Sequence, residues 1–230
     1  MRIGIDVGGT FTDLVVAQAD GSIEQFKTHS TPKDPSIGVL EGLAEVAGSC
    51  GLTLDQMLTE VELIVHGTTV ATNTLVERKG ADVGLITTEG FRDTIEMRTE
   101  SRFEQYDLNL VLPTPLVERR DRHTLGERVG ADGRILRPFD DDEARTLIER
   151  LADRPDGHRY QAVAVGFIHS YVNGDHERRF RDLLLERIPD LAVSISSEVS
   201  PQMREFERFN TVCVNAYVQP LMASYLKKLE

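Results

Sequence analysis

Gly4-Ile5-Asp6-Val7-Gly8-Gly9-Thr10-Phe11-Thr12-Asp13 is the stretch on which the fold turns. The apolar, β-prone run Arg2–Val7 carries a carboxylate, Asp6, to its end, and two glycines follow at once. Without Cβ atoms the backbone can turn there and come close to a ligand. Successive N–H groups in such a turn form a concavity for anions, and Thr10 and Thr12 add hydroxyl donors. Asp6, beside a bound phosphate, suits Mg2+ held through water, because that ion keeps much of its hydration shell and takes only one or two protein carboxylates. A second strand, Thr12–Ala17, follows the glycines. That excludes a Walker loop, which ends in Gly-Lys-Ser/Thr on a helix, and a dinucleotide fingerprint, in which a helix comes next. The candidate nucleotide-phosphate residues are Gly8, Gly9, Thr10, Thr12 and Asp13, with Asp6 as the catalytic, metal-side carboxylate.

Outward from this loop, Asp20-Gly21 marks a turn and Ser22–Lys27 a third strand, completing an antiparallel meander. Asp34 or Ser36 caps a helix in which Ile37, Leu40, Leu43, Ala44 and Ala47 recur at helical spacing up to Gly51. A strand-helix-strand unit follows at Glu62–His66, Val70–Arg78 and Asp82–Thr87. Met97–Pro138 is rich in Arg, Glu and Pro, and reads as an irregular connection with a short hairpin at Ala131-Asp132-Gly133. Its arginines (Arg98, Arg102, Arg119, Arg120, Arg122 and Arg128) suit an anionic substrate or a partner chain, and suit a hydrated loop slightly better. The last third gives a helix at Asp140–Leu151, a doubly buried strand at Tyr160–Ile168, a helix at Asp175–Ile188 and a strand at Leu191–Ser196. A final helix runs from Glu205 to Glu230, with a kink or break expected at Pro220. Setting aside Thr53–Pro138 as an insertion leaves the order β-β-β-α-β-α-β-α, a mixed sheet with helices on both faces. The alternative places the Glu62 and Asp82 strands in the main sheet.

The 230 residues, 40% hydrophobic and 28% charged, suffice for one good core or two small ones. A net charge of -12 repels phosphate backbones, so no nucleic-acid partner is expected. Cys50 and Cys213 lack metal-ligand spacing and fit buried thiols in a reducing compartment. The first residues do not resemble a signal peptide, and no apolar run approaches the roughly 18 residues that span a bilayer. The expectation is a cytoplasmic protein without membrane contact.

The Asp6–Asp13 loop resembles the first phosphate motif of the actin/Hsp70/sugar-kinase superfamily. That resemblance implies an α/β, RNase H-like lobe with a mixed five-stranded sheet. Its first part with the phosphate loop is 1–52, an inserted α/β unit with the irregular segment is 53–138, and the remainder is 139–230. The stretch His66-Gly67-Thr68-Thr69-Val70-Ala71-Thr72-Asn73-Thr74-Leu75-Val76-Glu77-Arg78-Lys79-Gly80-Ala81 is more specific. It closely resembles the signature of the hydantoinase A/5-oxoprolinase family, which includes ATP-dependent hydantoinases, 5-oxoprolinases and one subunit of the acetone and acetophenone carboxylases. The likeness continues through Gly84–Asp93, Ala162–Ser170, Ser196–Pro201 and Arg204–Arg208.

Physically, the His66 segment puts a glycine and two threonines at a strand end before a helix N-terminus, where backbone donors face an anion or a carbonyl oxygen. Thr69 or Thr72 fits a plain helix cap, and His66 a core histidine, equally well. The resemblance implies the substrate or phosphoryl-acceptor side, with Gly67, Thr68, Thr69 and Asn73 binding substrate and His66 catalytic. Near Glu198 the wider superfamily places an acid that approaches the metal or the attacking water; an acid stabilised at a helix start is the other reading. Arg204, Glu205 and Arg208 share a helical face, most simply a solvated, salt-bridged one.

The family resemblance implies ATP and Mg2+ as cofactors and a reaction that opens cyclic amides, of the hydantoin, N-methylhydantoin or 5-oxoproline type, through phosphorylation of the carbonyl oxygen. A ketone (acetone or acetophenone) carboxylase subunit is the alternative. A sugar-kinase-like or non-enzymatic actin-like module is a further one, against which His66–Ala81 stands. A hydantoinase B-type subunit or fused domain is the implied partner. The superfamily closes two lobes over ATP, yet Asp-x-Gly-Gly-Thr does not recur in Thr28–Glu230, and Leu226–Glu230 ends in an uncapped helical run. The expectation is one lobe of a longer protein, lacking the second ATPase lobe, inactive alone and a poor binder of ATP.

Overall fold

A computed structural model describes residues 1–31, 34–99, 104, 106–153, 157 and 159–229, so that Arg102 and Glu230 lie outside the described residues. The chain divides into two compact units, Met1–Lys79 with Leu221–Glu230, and Gly80–Pro220.

The first unit begins with the meander. Strands β1 (Arg2–Val7), β2 (Phe11–Ala17) and β3 (Ile23–His29) pair antiparallel in turn. Gly21, at φ 87°, makes the second turn, a conformation glycine adopts without a steric penalty. Helix α1 (Pro35–Ser49) is capped by the Asp34 side chain, and α2 (Leu54–Glu60) by a Thr53/Gln56 capping box. Strand β4 (Leu63–Thr68) lies parallel to β1, giving the order β3-β2-β1-β4, and helix α3 (Val70–Glu77) follows. Alternate residues of β1 and β2 (Ile3, Ile5, Val7, Leu14, Val16) face Val39, Leu43 and Val46 of α1. Gly42 lets the helix come close: a Cβ there would sit 2.5 Å from Leu14 Cδ1.

The second unit is built on a four-stranded sheet, all parallel, ordered β10-β9-β5-β6. Its strands are β5 (Val83–Thr88), β6 (Arg122–Leu125), β9 (Ala162–Gly166) and β10 (Ala192–Ile195), with a hairpin of β7 (Arg128–Val129) and β8 (Ile135–Arg137) between. Its helices are α4 (Thr94–Met97), α5 (Asp141–Ala152), α6 (Asp175–Arg187), α7 (Ser196–Val199) and the first part of α8 (Glu205–Lys227). Ile86, Val163, Val165 and Phe167 pack against Leu147, Ile148, Phe180 and Leu184 of α5 and α6. Gly166 points the other way, where a Cβ would meet Phe209 of α8 at 2.6 Å.

The molecule is thus α/β with mixed sheet directions, but the expected five-stranded sheet joining β1–β3 to the strands of the last third does not form. β9 and β10 pair with β5 and β6 instead, while β4, assigned to the insertion, completes the first sheet. The physical reason lies in β5 and β9. Each is buried along its whole length, and strands buried on both faces are satisfied in a parallel sheet covered on both sides. The observed division falls after Lys79 and after Pro220, not at 52/53 and 138/139. Within Met97–Pro138, expected to be irregular, the 3-10 turn Arg119–Asp121 leads into β6, and the hairpin brackets Gly133 as read. Pro220 lies inside α8, which continues past it.

Candidate functional site

In the first unit β1 brings Asp6 opposite Asp13 on β2 and Gly67 on β4. All three lie on the sheet face away from α1, and Asp6 is exposed. Like charges directly opposite across an antiparallel pair are unfavourable. Lys27 offsets one of them, with Nζ 2.9 Å from Asp13 and seated over the Phe11 ring. The Asp6 carboxylate has no hydrogen bond or ion pair to any described residue. An unpaired carboxylate, with the Lys27-paired Asp13 across the strand pair and a glycine loop alongside, would suit a Mg2+ ion. Among the described residues no group of three or more His, Cys, Asp or Glu forms an all-protein metal cage.

The loop is closed by Gly8 N–H donating to Phe11 O at 2.9 Å. Ser30 braces it, its hydroxyl donating to Gly8 O at 2.8 Å and its N–H to Thr10 O at 2.9 Å. Neither the Gly9 nor the Thr10 N–H donates to another described residue, which leaves both for an anion. A Cβ on Gly8 would meet Phe11 O at 3.1 Å, and one on Gly9 would meet Asn73 Nδ2 at 3.2 Å. Thr10 is exposed. Thr12, expected to donate to phosphate, does not face the loop. Period-two alternation puts it on the core face with Leu14 and Val16, fully buried, its hydroxyl 3.1 Å from Ser30 Oγ.

The start of α3 is tied to β1. Thr69 N–H donates to Val7 O at 3.0 Å, the Thr68 and Thr69 hydroxyls also donate to that carbonyl at 3.4 and 3.3 Å, and Val70 N–H donates to Thr68 Oγ1 at 3.1 Å. Asn73 Nδ2 donates to Thr69 Oγ1 at 3.4 Å. These contacts bring Asn73 beside Gly9 on a cavity of about 210 Å³, lined also by Val70, Pro35, Lys79 and Leu221. His66 is held differently. Its Nε2 lies 2.7 Å from the Tyr225 hydroxyl, and its Nδ1 is buried without a partner. Burial pushes the imidazole pKa down, against the opposing effect of Asp6, and pushes the Tyr225 hydroxyl up to about 12. His66 is half-buried, with Nε2 engaged by Tyr225 and Nδ1 enclosed. Tyr225 carries no motif, so nothing local in the sequence reveals it.

Glu198 belongs to the second unit, on α7, because β10 before it joins the parallel sheet. Its exposed carboxylate accepts two bonds from Arg181 Nη1, at 2.8 and 2.9 Å. The buried acid of that region is Glu177, which accepts from Phe167 N, Ser196 Oγ and Ser197 N at 2.8, 2.6 and 2.7 Å. Arg208, expected on a solvated face, is 1% exposed and donates to Ser196 Oγ and Phe167 O. A second buried group joins Glu127 to Thr88 and to His176 Nδ1. Several arginines of the irregular segment are also spoken for: Arg119 pairs with Asp93, Arg120 with Glu118, and Arg122 with Glu96, while Arg128 lies over Phe91.

The model of the hydantoinase/oxoprolinase N-terminal region matches residues 2–188. The chain is 36% identical over 231 residues to caprolactamase subunit alpha of Pseudomonas jessenii, covering 100% of this chain and 33% of that protein. It is 35% identical over 233 residues to the acetophenone carboxylase gamma subunit of Aromatoleum aromaticum, covering 96% and 31%. The crystal structure of the ATP-dependent caprolactamase from Pseudomonas jessenii superposes with a TM-score of 0.88 at 36% identity, over 100% of this chain and 33% of that one. The chain therefore spans about a third of the length of these relatives. Among the described residues no single helix is long and apolar enough to cross a membrane.

Proposed function

The chain belongs to the hydantoinase/oxoprolinase family, and from that premise we propose that the whole protein is an ATP-dependent hydrolase that opens a small cyclic amide. The observation that carries the proposal is the unpaired Asp6 carboxylate beside a glycine loop with two uncommitted N–H groups, Gly8 and Gly9 of that loop lining a cavity of about 210 Å³. Amide resonance makes the carbonyl carbon a poor electrophile. Transfer of the γ-phosphoryl group of ATP to the carbonyl oxygen releases ADP and turns that oxygen into part of a leaving group. Water then adds at carbon and the ring C–N bond breaks, the nitrogen leaving as an amine that takes up a proton, and a second water hydrolyses the resulting acyl phosphate to carboxylate and inorganic phosphate. Gly9 and Thr10 hold the phosphate oxygens by N–H donation, Gly8 shapes the turn, and Asn73, Thr68 and Thr69 order the acceptor side. Positioning and charge complementarity supply the rate in such transfers. Asp6, with Asp13 across the strand pair, would hold Mg2+, which would neutralise phosphate charge.

We further propose that the first sheet, β3-β2-β1-β4, is the beginning of an RNase H-like nucleotide lobe whose counterpart lies elsewhere in the whole protein. The reading also takes the protein as cytoplasmic and as working with a hydantoinase B-type subunit or fused domain. The test is release of inorganic phosphate by the whole protein with its companion subunit, screened across hydantoin, 5-oxoproline, simple lactams, acetone and acetophenone. Stimulation by cyclic amides alone supports the proposal, and stimulation by ketones with bicarbonate alone overturns it. A ketone carboxylase is the second reading, favoured by the 35% identity to the acetophenone carboxylase gamma subunit. It uses the same phosphoryl transfer, directed at an enolate or bicarbonate oxygen.

A further inference from the structure

The hydrogen bonds around Asn73 fix which way its carboxamide points. The Thr69 hydroxyl has one proton and donates it to Val7 O at 3.3 Å, a carbonyl that can only accept. Thr69 Oγ1 is thereby left as an acceptor, and it is Nδ2 of Asn73, at 3.4 Å, that faces it. One Nδ2 proton and both lone pairs of Oδ1 remain uncommitted among the described residues. The Nδ2 end of the amide lies close to Gly9: a Cβ there would stand 3.2 Å from Nδ2 and 4.0 Å from Cγ, so a larger residue at position 9 would press on the group. Asn73 and Gly9 line one cavity, whose walls include the apolar side chains of Val70, Pro35 and Leu221.

From this arrangement we propose that Asn73 reads the substrate as an amide, accepting the ring N–H at Oδ1 and donating from Nδ2 to the ring carbonyl oxygen. The inference rests on the reading of the site as an amide-phosphorylating one, and it names the class of molecule selected there. In a small ring the amide is cis, so its N–H and C=O lie side by side on one edge, the geometry that a carboxamide matches with two parallel hydrogen bonds. The ring methylenes take the apolar wall of Val70, Pro35 and Leu221. The carbonyl oxygen comes to rest beside the Gly8–Gly9 loop, where the phosphoryl group must arrive. A ketone offers an acceptor but no N–H, and leaves Oδ1 unpaired in a half-buried site.

The experiment compares a lactam with its N-methyl derivative in the whole protein with its companion subunit, reading kcat/KM for substrate-dependent phosphate release. A site built to bond an N–H rejects the analogue that lacks it by about a hundredfold or more. The expected result is that ratio in the unmodified protein and its collapse to within about threefold in Asn73→Ala, because the lactam loses rate and the N-methyl lactam does not. Asn73→Asp, which keeps the acceptor and removes the donor, retains the preference for N–H at a lower overall rate. Circular dichroism matching that of the unmodified protein establishes that the variants fold, and Asn73→Ser replaces any variant that does not. Equal losses for both substrates in Asn73→Ala overturn the proposal, because the residue then serves the phosphoryl group common to both. An unmodified protein that releases phosphate with no lactam at all, but does so with a ketone, overturns the reading of the reaction itself.

Discussion

Replacing Glu177 by Gln keeps shape and volume and changes only charge and hydrogen-bonding sense. The carboxylate is fully buried and accepts three bonds, two at Oε1 and one at Oε2. A glutamine can keep the pair from Phe167 N and Ser196 Oγ on its carbonyl oxygen, but its NH2 then faces Ser197 N–H, donor against donor. One charge-assisted bond is lost, at about 1.5–3 kcal/mol, and a buried donor is left unpaired. Arg208, buried and depressed in pKa by that burial, also loses the carboxylate that opposes the effect. Breaking a buried charge network by removing one partner costs about 3–5 kcal/mol, a large part of the roughly 5–15 kcal/mol that holds a domain together. Glu198→Gln is the control: its carboxylate, 54% exposed on Arg181, contributes no more than about 1 kcal/mol. The chain has no tryptophan, so urea unfolding is followed by far-ultraviolet circular dichroism. If Glu177→Gln unfolds within about 1 kcal/mol of the unmodified protein, or Glu198→Gln costs as much as Glu177→Gln, the reasoning fails.

Asp6→Asn, at an exposed strand end, is expected to leave the unfolding midpoint unchanged and to remove substrate-dependent phosphate release; turnover above about a tenth of normal in a folded variant counts against the metal-side assignment. Leu14→Ala, at a fully buried position under Gly42, is expected to cost about 2–5 kcal/mol in urea unfolding, and a loss below 1 kcal/mol would show that α1 does not pack there. Hydrogen bonds from Lys228 and Ser36 hold the Asp34 carboxyl below the usual carboxylate range. A carboxyl lowered in the folded state gives stability that is present above its unfolded pKa and lost as pH falls through the folded one. Urea midpoints between pH 5 and pH 2 should therefore drop less steeply in Asp34→Asn than in the unmodified protein, and parallel curves refute the linkage.

The legible parts of the sequence were those in which local chemistry and final environment agree. The glycines after Val7, the Asp20-Gly21 turn, the Asp34 cap and the period-two alternation of β1 and β2 each specify their own geometry, and the meander follows from them. Thr12 was misplaced although the signal was present, since it shares parity with Leu14 and Val16. Strand β6 was hidden because Arg122-His123-Thr124-Leu125 reads as polar loop. Its buried arginine bonds nearby Val117 O and distant Glu96, and the half-buried His123 meets Tyr160, also distant in sequence. Sheet membership failed for the same reason: nothing within Leu63–Thr68 or Ala162–Gly166 says which strand lies alongside. At the site, Asp6, Gly8 and Gly9 were legible as a loop, whereas Tyr225 against His66 and Ser30 beneath the glycines depend on the folded chain.

The division of the chain has a consequence for its birth on the ribosome. The first unit is interrupted: it leaves off at Lys79 and is completed only from Leu221 onward. Two of its fastenings, Tyr225 on His66 and Lys228 on Asp34, join the N-terminal segment to that late return. Translation at about 5–20 residues per second makes the N-terminal segment wait on the order of ten seconds while Gly80–Pro220 is made. The uninterrupted second unit can complete itself as it emerges, but the Gly8–Gly9 loop stands on a sheet whose last contacts are still unsynthesised. A nascent chain stalled before Leu221 therefore carries a finished parallel sheet and a first unit without its Tyr225–His66 and Lys228–Asp34 fastenings, and it is in that window that the N-terminal segment is most open to chaperones and proteases.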